Sequence, residues 1–287
     1  MSINVPTSAQ GAFAGNMAQG QKIELPFPAP AFYIVNGEAK LAALKNYAYY
    51  GGFACSSGNI KAASEGWENC KYPIPGFTEE TIAIGEDSIL SHVSRSLVVA
   101  PIGMRPFSIL EVNGSKKRVA PFTKGARPAL QVLVVLGYRN ENKQIESWAP
   151  ALLTAKGYQV NHLQKAFADW KKAITPFMKE IAPGMPSDVT NLFWMHIGTF
   201  GTERKAEQHG ESSITPVWSF IPDGLTAQQV ENMYVGDNMA EFMASLSVQS
   251  AEWLKAYSKP NVVENISDPY VNAPVAQDMP DESDIPF

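Results

Sequence analysis

The densest set of residues that could bind a ligand is a basic stretch in the middle of the chain. From Lys116 to Arg139 there are six Lys or Arg residues and no Asp or Glu, and aromatic residues are interspersed among them. Cations neutralise phosphates and flat rings stack on unpaired bases, so this mixture is typical of a surface that binds single-stranded nucleic acid. The predicted DNA contacts are Arg105, Phe107, Lys116, Lys117, Arg118, Phe122, Lys124, Arg127, Tyr138 and Arg139.

Two interpretations are open for each aromatic residue in this set. A ring such as Phe107 or Phe122, taken singly, fits the core of a sheet better than a stacking surface. The run of charges without acids favours phosphate contact over the ordinary outward face of a sheet. A second cluster, Tyr47, Tyr49 and Tyr50, lies at the end of a predicted helix, where not all three rings can point inward. It predicts either a further stacking platform or a tyrosine-rich packing edge.

The last ten residues, 278–287, form a candidate binding element of another kind. They carry four acids and end in Ile-Pro-Phe, with the free α-carboxylate on the final residue. A terminal aromatic ring with a carboxylate can fill an apolar pocket on a partner while basic residues bind its charges. The predicted partner-binding residues are Asp281, Glu282, Asp284, Ile285, Pro286 and Phe287.

This tip closely resembles the C-terminal tip of bacterial and phage single-stranded-DNA-binding proteins, which end in a few acids followed by Ile-Pro-Phe. The resemblance covers residues 278–287, and Pro280 and Ser283 interrupt the acids. It implies that the tip recruits replication, recombination and repair enzymes to coated single strands. Outside the tip no motif of that family is present, and the body is longer than the compact OB domain typical of its bacterial members.

Composition agrees with a folded body and an acidic tail. The chain of 287 residues is 45% hydrophobic and carries a formal net charge of −5. Six acids and no bases follow Pro260, and removing these six from the 28 acids of the chain leaves 22 against 23 bases. The body is therefore about neutral, and the negative charge is concentrated in the tail. This distribution suits a protein whose body binds a polyanion and whose tail must not bind one.

Cysteine content and the lack of apolar runs bear on the compartment. Cys55 and Cys70 form neither a zinc signature nor a disulfide framework, which fits a reducing cytosol. The sequence shows no secretion signal and no apolar run long enough to span a membrane. We predict a soluble cytoplasmic protein, in the cytoplasm of a bacterial host if it is phage-encoded.

The motifs of enzymes are missing. His92, His162, His196 and His209 are scattered without the spacing of metal ligands. The chain has no Walker loop, no dinucleotide glycine fingerprint, no serine-hydrolase motif and no zinc-protease motif. We therefore predict a non-enzymatic protein that needs no cofactor and no metal.

The candidate DNA contacts lie in a β-rich segment. Residues 107–122 are predicted to form a hairpin that turns at Asn113-Gly114. Residues 130–138 are apolar on both faces and are predicted to form a buried central strand. Further strands are predicted at 32–35, 96–101, 191–200 and 213–221.

Helices are predicted on both sides of this segment. Residues 38–50 form the first, and 51–78 are expected to be loop-like because they are rich in Gly and Pro. Residues 161–180 have apolar residues at steps of three and four. Thr226 is predicted to cap a helical segment, and a final amphipathic helix to end near Tyr257.

These patterns predict an α+β fold: a β-rich body with an OB-like sheet or barrel, elaborated or divergent, with flanking helices and a disordered acidic tail. The predicted divisions are a flexible arm at 1–24, one DNA-binding domain at 25–259 and the tail at 260–287. A split of the body near 183–187 is the alternative.

The predicted function is to coat single-stranded DNA without sequence preference and to recruit replication, recombination or repair proteins through the tip, in a phage or mobile element. Two alternatives stay open. One is a strand-annealing or recombination-mediator protein, and the other is a mimic of the tip that captures host enzymes without binding DNA. A nuclease or primase with a recruiting tail is disfavoured by the missing carboxylate and metal motifs. The oligomeric state is open, with a homo-oligomer among the options.

Overall fold

The computed structural model describes residues 24–36, 51–68, 70–84, 87–199, 203–207, 210–257 and 264–265. Nearly all of the predicted arm, the predicted helix at 38–50 and the tip lie outside the described residues. The strands are β1 (Ala31–Asn36), β2 (Gly51–Ser56), β3 (Thr78–Ile84), β4 (Asp87–Ser94), β5 (Ser96–Val112), β6 (Ser115–Val119), β7 (Arg127–Arg139), β8 (Ile145–Lys156), β9 (Met195–Thr199), β10 (Glu203–Glu207), β11 (Gly210–Ile214), β12 (Val217–Ser219) and β13 (Glu264–Asn265). The α-helices are α1 (Ser57–Glu65), α2 (Tyr158–Ile174), α3 (Met178–Ile181), α4 (Ala227–Glu231), α5 (Asp237–Gln249) and α6 (Ala251–Leu254), and short 3-10 helices span Thr175–Phe177 and Ser187–Leu192.

Eleven of the described strands form one large sheet, while β10 and β11 pair only with each other in the described part of the chain. The order along the sheet is β12-β9-β5-β7-β8-β1-β2-β4-β3, and β6 pairs with both β5 and β13. The strands β1 and β8 are parallel, whereas their neighbours in the order are antiparallel. The chain is a mixed α+β protein, as predicted, with helices packed around a large sheet.

The strand β7 occupies the middle of this sheet. Its residues Val132–Leu136 are all essentially inaccessible to solvent. The strand β5 pairs with one edge of β7, and β8 pairs with the other. A strand paired at both edges and covered on both faces is apolar throughout instead of alternating. The prediction of a buried central strand at 130–138 is confirmed.

The β5–β6 hairpin is also confirmed. Asn113 and Gly114 have φ values of 51° and 75°, as a two-residue turn that follows the twist of the strands requires. The pairing runs from Val112–Ser115 back to Ser108–Val119. The predicted strand at 96–101 and the first arm of the hairpin are one strand, β5, which continues through a bulge between Pro101 and Gly103.

The prediction that residues 51–78 are loop-like is wrong for 51–65 and correct for the described residues between 66 and 77. The strand β2 and the helix α1 occupy 51–65, and the Ser56 side chain caps α1 by accepting a hydrogen bond from the Asn59 N–H at 3.3 Å. The strands β3, β4 and β8 were not predicted either. In β8 the residue Pro150 lies within the strand, and a proline normally argues against a central strand because it lacks an N–H.

The predicted strand pair at 191–200 and 213–221 is confirmed as β9 and β12, which pair antiparallel. The helix predicted at 161–180 is shorter, because α2 ends at Ile174, just before Pro176. Thr226 caps α4 with a reciprocal pair of hydrogen bonds to Gln229. The final predicted helix is divided into α5 and α6 at Ser250.

The buried side chain of Arg105 joins the C-terminal helical segment to the sheet. Its guanidinium donates a hydrogen bond of 2.6 Å to Gln131 Oε1 on β7. The guanidinium carbon lies 3.8 Å from the centroid of the Trp253 ring and 4.9 Å from that of Tyr257. A cation that contacts two ring faces away from water is held by attraction to both ring quadrupoles. The residues after α6 are thus fixed against β5.

The two cysteines are free thiols. Cys55 is buried in β2, and Cys70 Sγ donates a hydrogen bond of 2.5 Å to the carbonyl oxygen of Trp148. Burial raises the pKa of the Cys70 thiol to about 11. This thiol therefore stays protonated near neutral pH and is a poor nucleophile.

We expect Trp253→Ala to lower the free energy of unfolding by about 3–5 kcal/mol, because it removes a buried ring and one face of the Arg105 contact. Urea unfolding of the full chain measures the change. The neighbouring exposed residue provides a control, Glu252→Ala, for which we expect a change within about 0.5 kcal/mol. Equal stability of the two variants would contradict the role assigned to this contact.

Candidate nucleic-acid interface

The loop between β6 and β7 presents an aromatic ring to solvent. Phe122 is 92% exposed, and its φ of 62° lies in the left-handed region that bulky residues rarely occupy. Two hydrogen bonds stiffen the loop: the Thr123 hydroxyl donates to the Ala120 carbonyl oxygen at 2.7 Å, and the Ala126 N–H donates to the Thr123 carbonyl oxygen at 3.0 Å. The ring is therefore held outward by an ordered turn.

Basic side chains flank Phe122 along the chain. Lys124 and Arg127 are exposed, while Lys116 and Lys117 on β6 are half-buried. Arg118 is also half-buried, and its guanidinium carbon lies 5.6 Å from the centroid of the Phe107 ring. The stretch from β6 to the start of β7 thus combines accessible cations with one fully accessible ring.

The outer edge of β6 pairs with β13. The register places Glu264 opposite Arg118 and Asn265 opposite Lys117. These two residues belong to the region predicted to be a tail, and they form the short strand β13. The first acid after Pro260 is therefore on a strand that pairs with β6, which carries three of the predicted DNA contacts.

Two of the predicted DNA contacts are wrong, because their side chains are buried. Arg105 and Phe107 are each 2% exposed, so neither side chain can reach a DNA strand in this structure. Phe107 instead packs against Tyr257 in a second small core, with ring centroids 5.6 Å apart. Arg105 contacts the same Tyr257 ring.

Tyr138 and Arg139 lie at the far end of β7 from Phe122. Arg127 and Arg139 are the first and last residues of this strand, so at about 3.4 Å per residue they are roughly 40 Å apart. Tyr138 is half-buried, with its hydroxyl hydrogen-bonded to Glu146 and the Lys71 ammonium 5.4 Å from its ring centroid. The predicted set is thus divided between two ends of the sheet. Tyr47, Tyr49, Tyr50 and the tip residues Asp281–Phe287 lie outside the described residues.

Beside Arg139 there is an aromatic cleft, which the sequence did not predict. Its volume is about 1160 Å³. The residues that line it come from the end of β7 and the turn into β8, from α2, from Trp194 and β9, from β12, and from the segment between β12 and α5. Its rings belong to Trp170, Trp194, Trp218, Phe220 and Tyr234.

Two glycines let these rings lie against the sheet. A methyl group on Gly137 would come within 2.9 Å of the Trp194 ring, and one on Gly198 would collide with the Phe220 ring. Backbone hydrogen bonds hold the cleft segments in place, including Phe220 N–H to the His196 carbonyl oxygen at 2.9 Å. In the sequence these glycines resemble strand breakers, and only the fold shows which rings cover them.

The polar groups of the cleft carry positive or no charge. Burial, with a smaller contribution from the Arg139 charge, lowers the pKa of His196, so this ring is neutral near pH 7. One guanidinium nitrogen of Arg139 lies 3.3 Å from His196 Nε2, and another donates to the Lys143 carbonyl oxygen. Burial raises the pKa of Tyr234, whose hydroxyl donates to Asp237 Oδ1 at 3.0 Å. Arg139 and Lys143 are the cations of the cleft lining, and no Asp or Glu is among the described residues that line it.

No protein-family model, curated protein or solved structure gives a match to this chain. Within the described ranges there is no group of three or more His, Cys, Asp or Glu side chains that could hold a metal ion. The same ranges contain no helix long and apolar enough to cross a membrane.

The lowered pKa of His196 predicts how stability depends on pH. The unfolded chain titrates near the ordinary value of 6.5, above the folded-state pKa, so it binds more protons as the pH falls through that region. We expect the free energy of unfolding to decrease from about pH 7.5 to about pH 5, and to decrease less in His196→Gln. Urea unfolding of both proteins across this range measures the difference.

His92 serves as the comparison, because it is buried and its pKa is also lowered by burial, against an opposing effect of Glu79. His92→Gln should likewise reduce the pH dependence. Identical pH profiles for the wild-type chain and His196→Gln would contradict the assignment to His196.

Proposed function

We propose that this protein binds single-stranded DNA without sequence preference, and that the Phe122 loop with its flanking cations is one of its contact surfaces. The observation that carries the proposal is the Phe122 ring, fully exposed on a stiffened loop with left-handed backbone. An exposed apolar ring gains nothing from folding, and a left-handed φ at a bulky residue costs about 1–3 kcal/mol. A bulky apolar residue that is kept exposed and has an unfavourable backbone conformation is a candidate for binding.

The chemistry around the ring supports a single strand as the ligand. A phenyl ring can stack on any base, because every base has a flat face. Lys116, Lys117, Lys124 and Arg127 can neutralise phosphates, which carry no sequence information. In duplex DNA the bases are already stacked and paired, so the ring would lose its partner. We therefore propose preference for single strands over duplex.

We also propose that the sheet is an elaborated, OB-like nucleic-acid-binding sheet. Its long strands contain register shifts between Pro101 and Gly103 in β5, and between Leu136 and Gly137 in the β7–β8 pairing. Bulges bend strands and are used to curve sheets toward closure. The parallel β1–β8 pair and the strands beyond it would be the elaboration.

For the acidic region after Pro260 we propose two roles. Its tip, Asp281–Phe287, would recruit replication, recombination or repair enzymes, as the resemblance of the tip implies. The region would also compete with DNA for the basic strand β6. The pairing of β13 with β6, which places Glu264 opposite Arg118, supports this second role because it brings the start of the region to the predicted contacts.

Binding is tested by fluorescence anisotropy of a labelled dT oligonucleotide and of a duplex of equal length, at several salt concentrations. We expect tight binding to the single strand that weakens with salt, by a slope of about 0.7 per phosphate contact. Phe122→Ala should weaken binding by about 5- to 150-fold, which corresponds to the stacking free energy of one base. An exposed leucine on β4 gives the matched control, Leu90→Ala, which should bind like the wild-type chain.

Phe122→Gly separates binding from folding. Glycine adopts φ of 62° without strain, so this variant should be more stable than Phe122→Ala by about 1 kcal/mol while binding the single strand equally weakly. Urea unfolding and anisotropy on the same preparations measure both quantities. Wild-type affinity in either variant would contradict the role of the ring. No binding by the wild-type chain at low salt would instead favour a mimic of the tip.

Removing residues 267–287 while keeping β13 should tighten binding to single strands at low salt, because five of the six acids are lost and the β13–β6 pairing is retained. The difference should disappear at high salt. A length-matched control replaces those five acids with Asn or Gln and should behave like the truncation. Unchanged affinity at low salt in both proteins would rule out competition by this region.

A further inference from the structure

We propose that the aromatic cleft beside Arg139 is a second base-binding site, and that one DNA strand contacts both this cleft and the Phe122 loop. The inference rests on the proposed function and extends it, because it assigns the ligand of a site at the opposite end of β7, whose first and last residues are roughly 40 Å apart. It also adds residues that the predicted contact set does not include, above all Trp218 and Phe220.

The shape of the cleft suits a segment of polymer. Its volume of about 1160 Å³ exceeds the roughly 300–1000 Å³ of a typical small-molecule pocket. Trp218 and Phe220 are 48% and 42% exposed at its mouth, whereas Trp194 is buried at its floor. Several rings at different depths offer stacking surfaces to more than one base.

The floor of the cleft also contains a hydrogen-bond donor without a partner. Trp170 is 3% exposed, and its Nε1 has no acceptor among the described residues. A buried N–H that lacks an acceptor is unfavourable, by about 1–3 kcal/mol in general, and such a group in a cleft indicates a ligand that supplies one. Bases carry such acceptors, as carbonyl oxygens and ring nitrogens, around a flat aromatic body that stacks on rings.

The charges of the cleft select a polyanion. Arg139 and Lys143 are exposed at the rim, and the described lining residues include no carboxylate. Because His196 is neutral near pH 7, it does not neutralise a phosphate but can orient Arg139 through the contact of 3.3 Å. Rings inside and cations at the rim match a strand with stacked bases inside and phosphates outside.

The two proposed sites lie at opposite ends of the β-strand β7, and this separation predicts how affinity depends on the length of the oligonucleotide. A strand long enough to reach both sites binds the second one intramolecularly, at a high effective concentration. Shorter strands occupy one site at a time. The affinity should therefore rise steeply once the oligonucleotide spans the two ends of β7, and this rise should depend on both Phe122 and Trp218.

The test measures the affinity of dT oligonucleotides from about 4 to 20 nucleotides for the wild-type chain, Trp218→Ala and Trp218→Phe. We expect Trp218→Ala to remove the steep rise with length and to weaken binding of the longest strand by about 5- to 150-fold. Trp218→Phe should restore most of the rise, because it keeps a ring. The matched control is Val248→Ala, an exposed apolar residue outside the cleft, which should leave the profile unchanged.

A second readout locates the bases directly. Photo-crosslinking of the full chain to an oligonucleotide containing 5-iodouracil, followed by peptide mapping, should give adducts at Trp218 or Phe220 as well as near Phe122. Adducts near Phe122 alone, together with a wild-type length profile in Trp218→Ala, would overturn the inference and leave the proposed function standing. No binding of any oligonucleotide by the wild-type chain would overturn both.

A peptide with the sequence of residues 278–287 tests whether the ligand of this cleft is the acidic tip instead of DNA. Its terminal ring and carboxylates also match aromatic walls with a cationic rim. Binding of that peptide, lost in Trp218→Ala while affinity for DNA of every length is unchanged, would assign the cleft to the acidic tip and overturn the inference. Failure of the peptide to compete with DNA supports it.

Discussion

The pairing of β7 along both of its edges is the constraint on which the rest of this structure depends. A run of five consecutive apolar residues, Val132–Leu136, can be removed from water only if both faces of the strand are covered and both edges are hydrogen-bonded. The strands β5 and β8 satisfy the edges, and the packed helices and the far parts of the sheet cover the faces. The length of β7 then determines how far apart its two polar ends lie.

This constraint explains where binding groups can be placed. Along the buried middle of β7, a polar side chain needs a partner, and Gln131 finds one in Arg105. Exposed cations are confined to the ends, where Arg127 follows the Phe122 loop and Arg139 borders the cleft. The proposals for DNA binding follow this division: each end of the strand combines cations with rings, and the core between them serves as a rigid spacer.

The sequence was sufficient for features that depend on neighbouring residues. The Asn113-Gly114 turn and the buried run in β7 could be predicted because turn geometry and hydrophobic pattern are local properties. The burial of Arg105 could not, because it depends on Tyr257, which is remote in sequence and approaches only in the folded chain. For Phe107 the core interpretation is correct, whereas the same interpretation fails for Phe122, which is 92% exposed. The cleft is harder still to predict from the sequence, because its walls come from several separate segments and its rings rest on glycines that resemble strand breakers.

The parallel pairing of β1 with β8 has a consequence for synthesis on the ribosome. Ala31 pairs with Leu152, so one edge of β1 has no partner until more than a hundred further residues have been synthesised. At about 5–20 residues per second this delay is roughly 6–24 s. During that time Phe32 and Ile34, which belong to the main core, lack the core residues that β8 contributes. The nascent chain thus passes through a stage with an open apolar strand edge, at which chaperones that bind such edges would act.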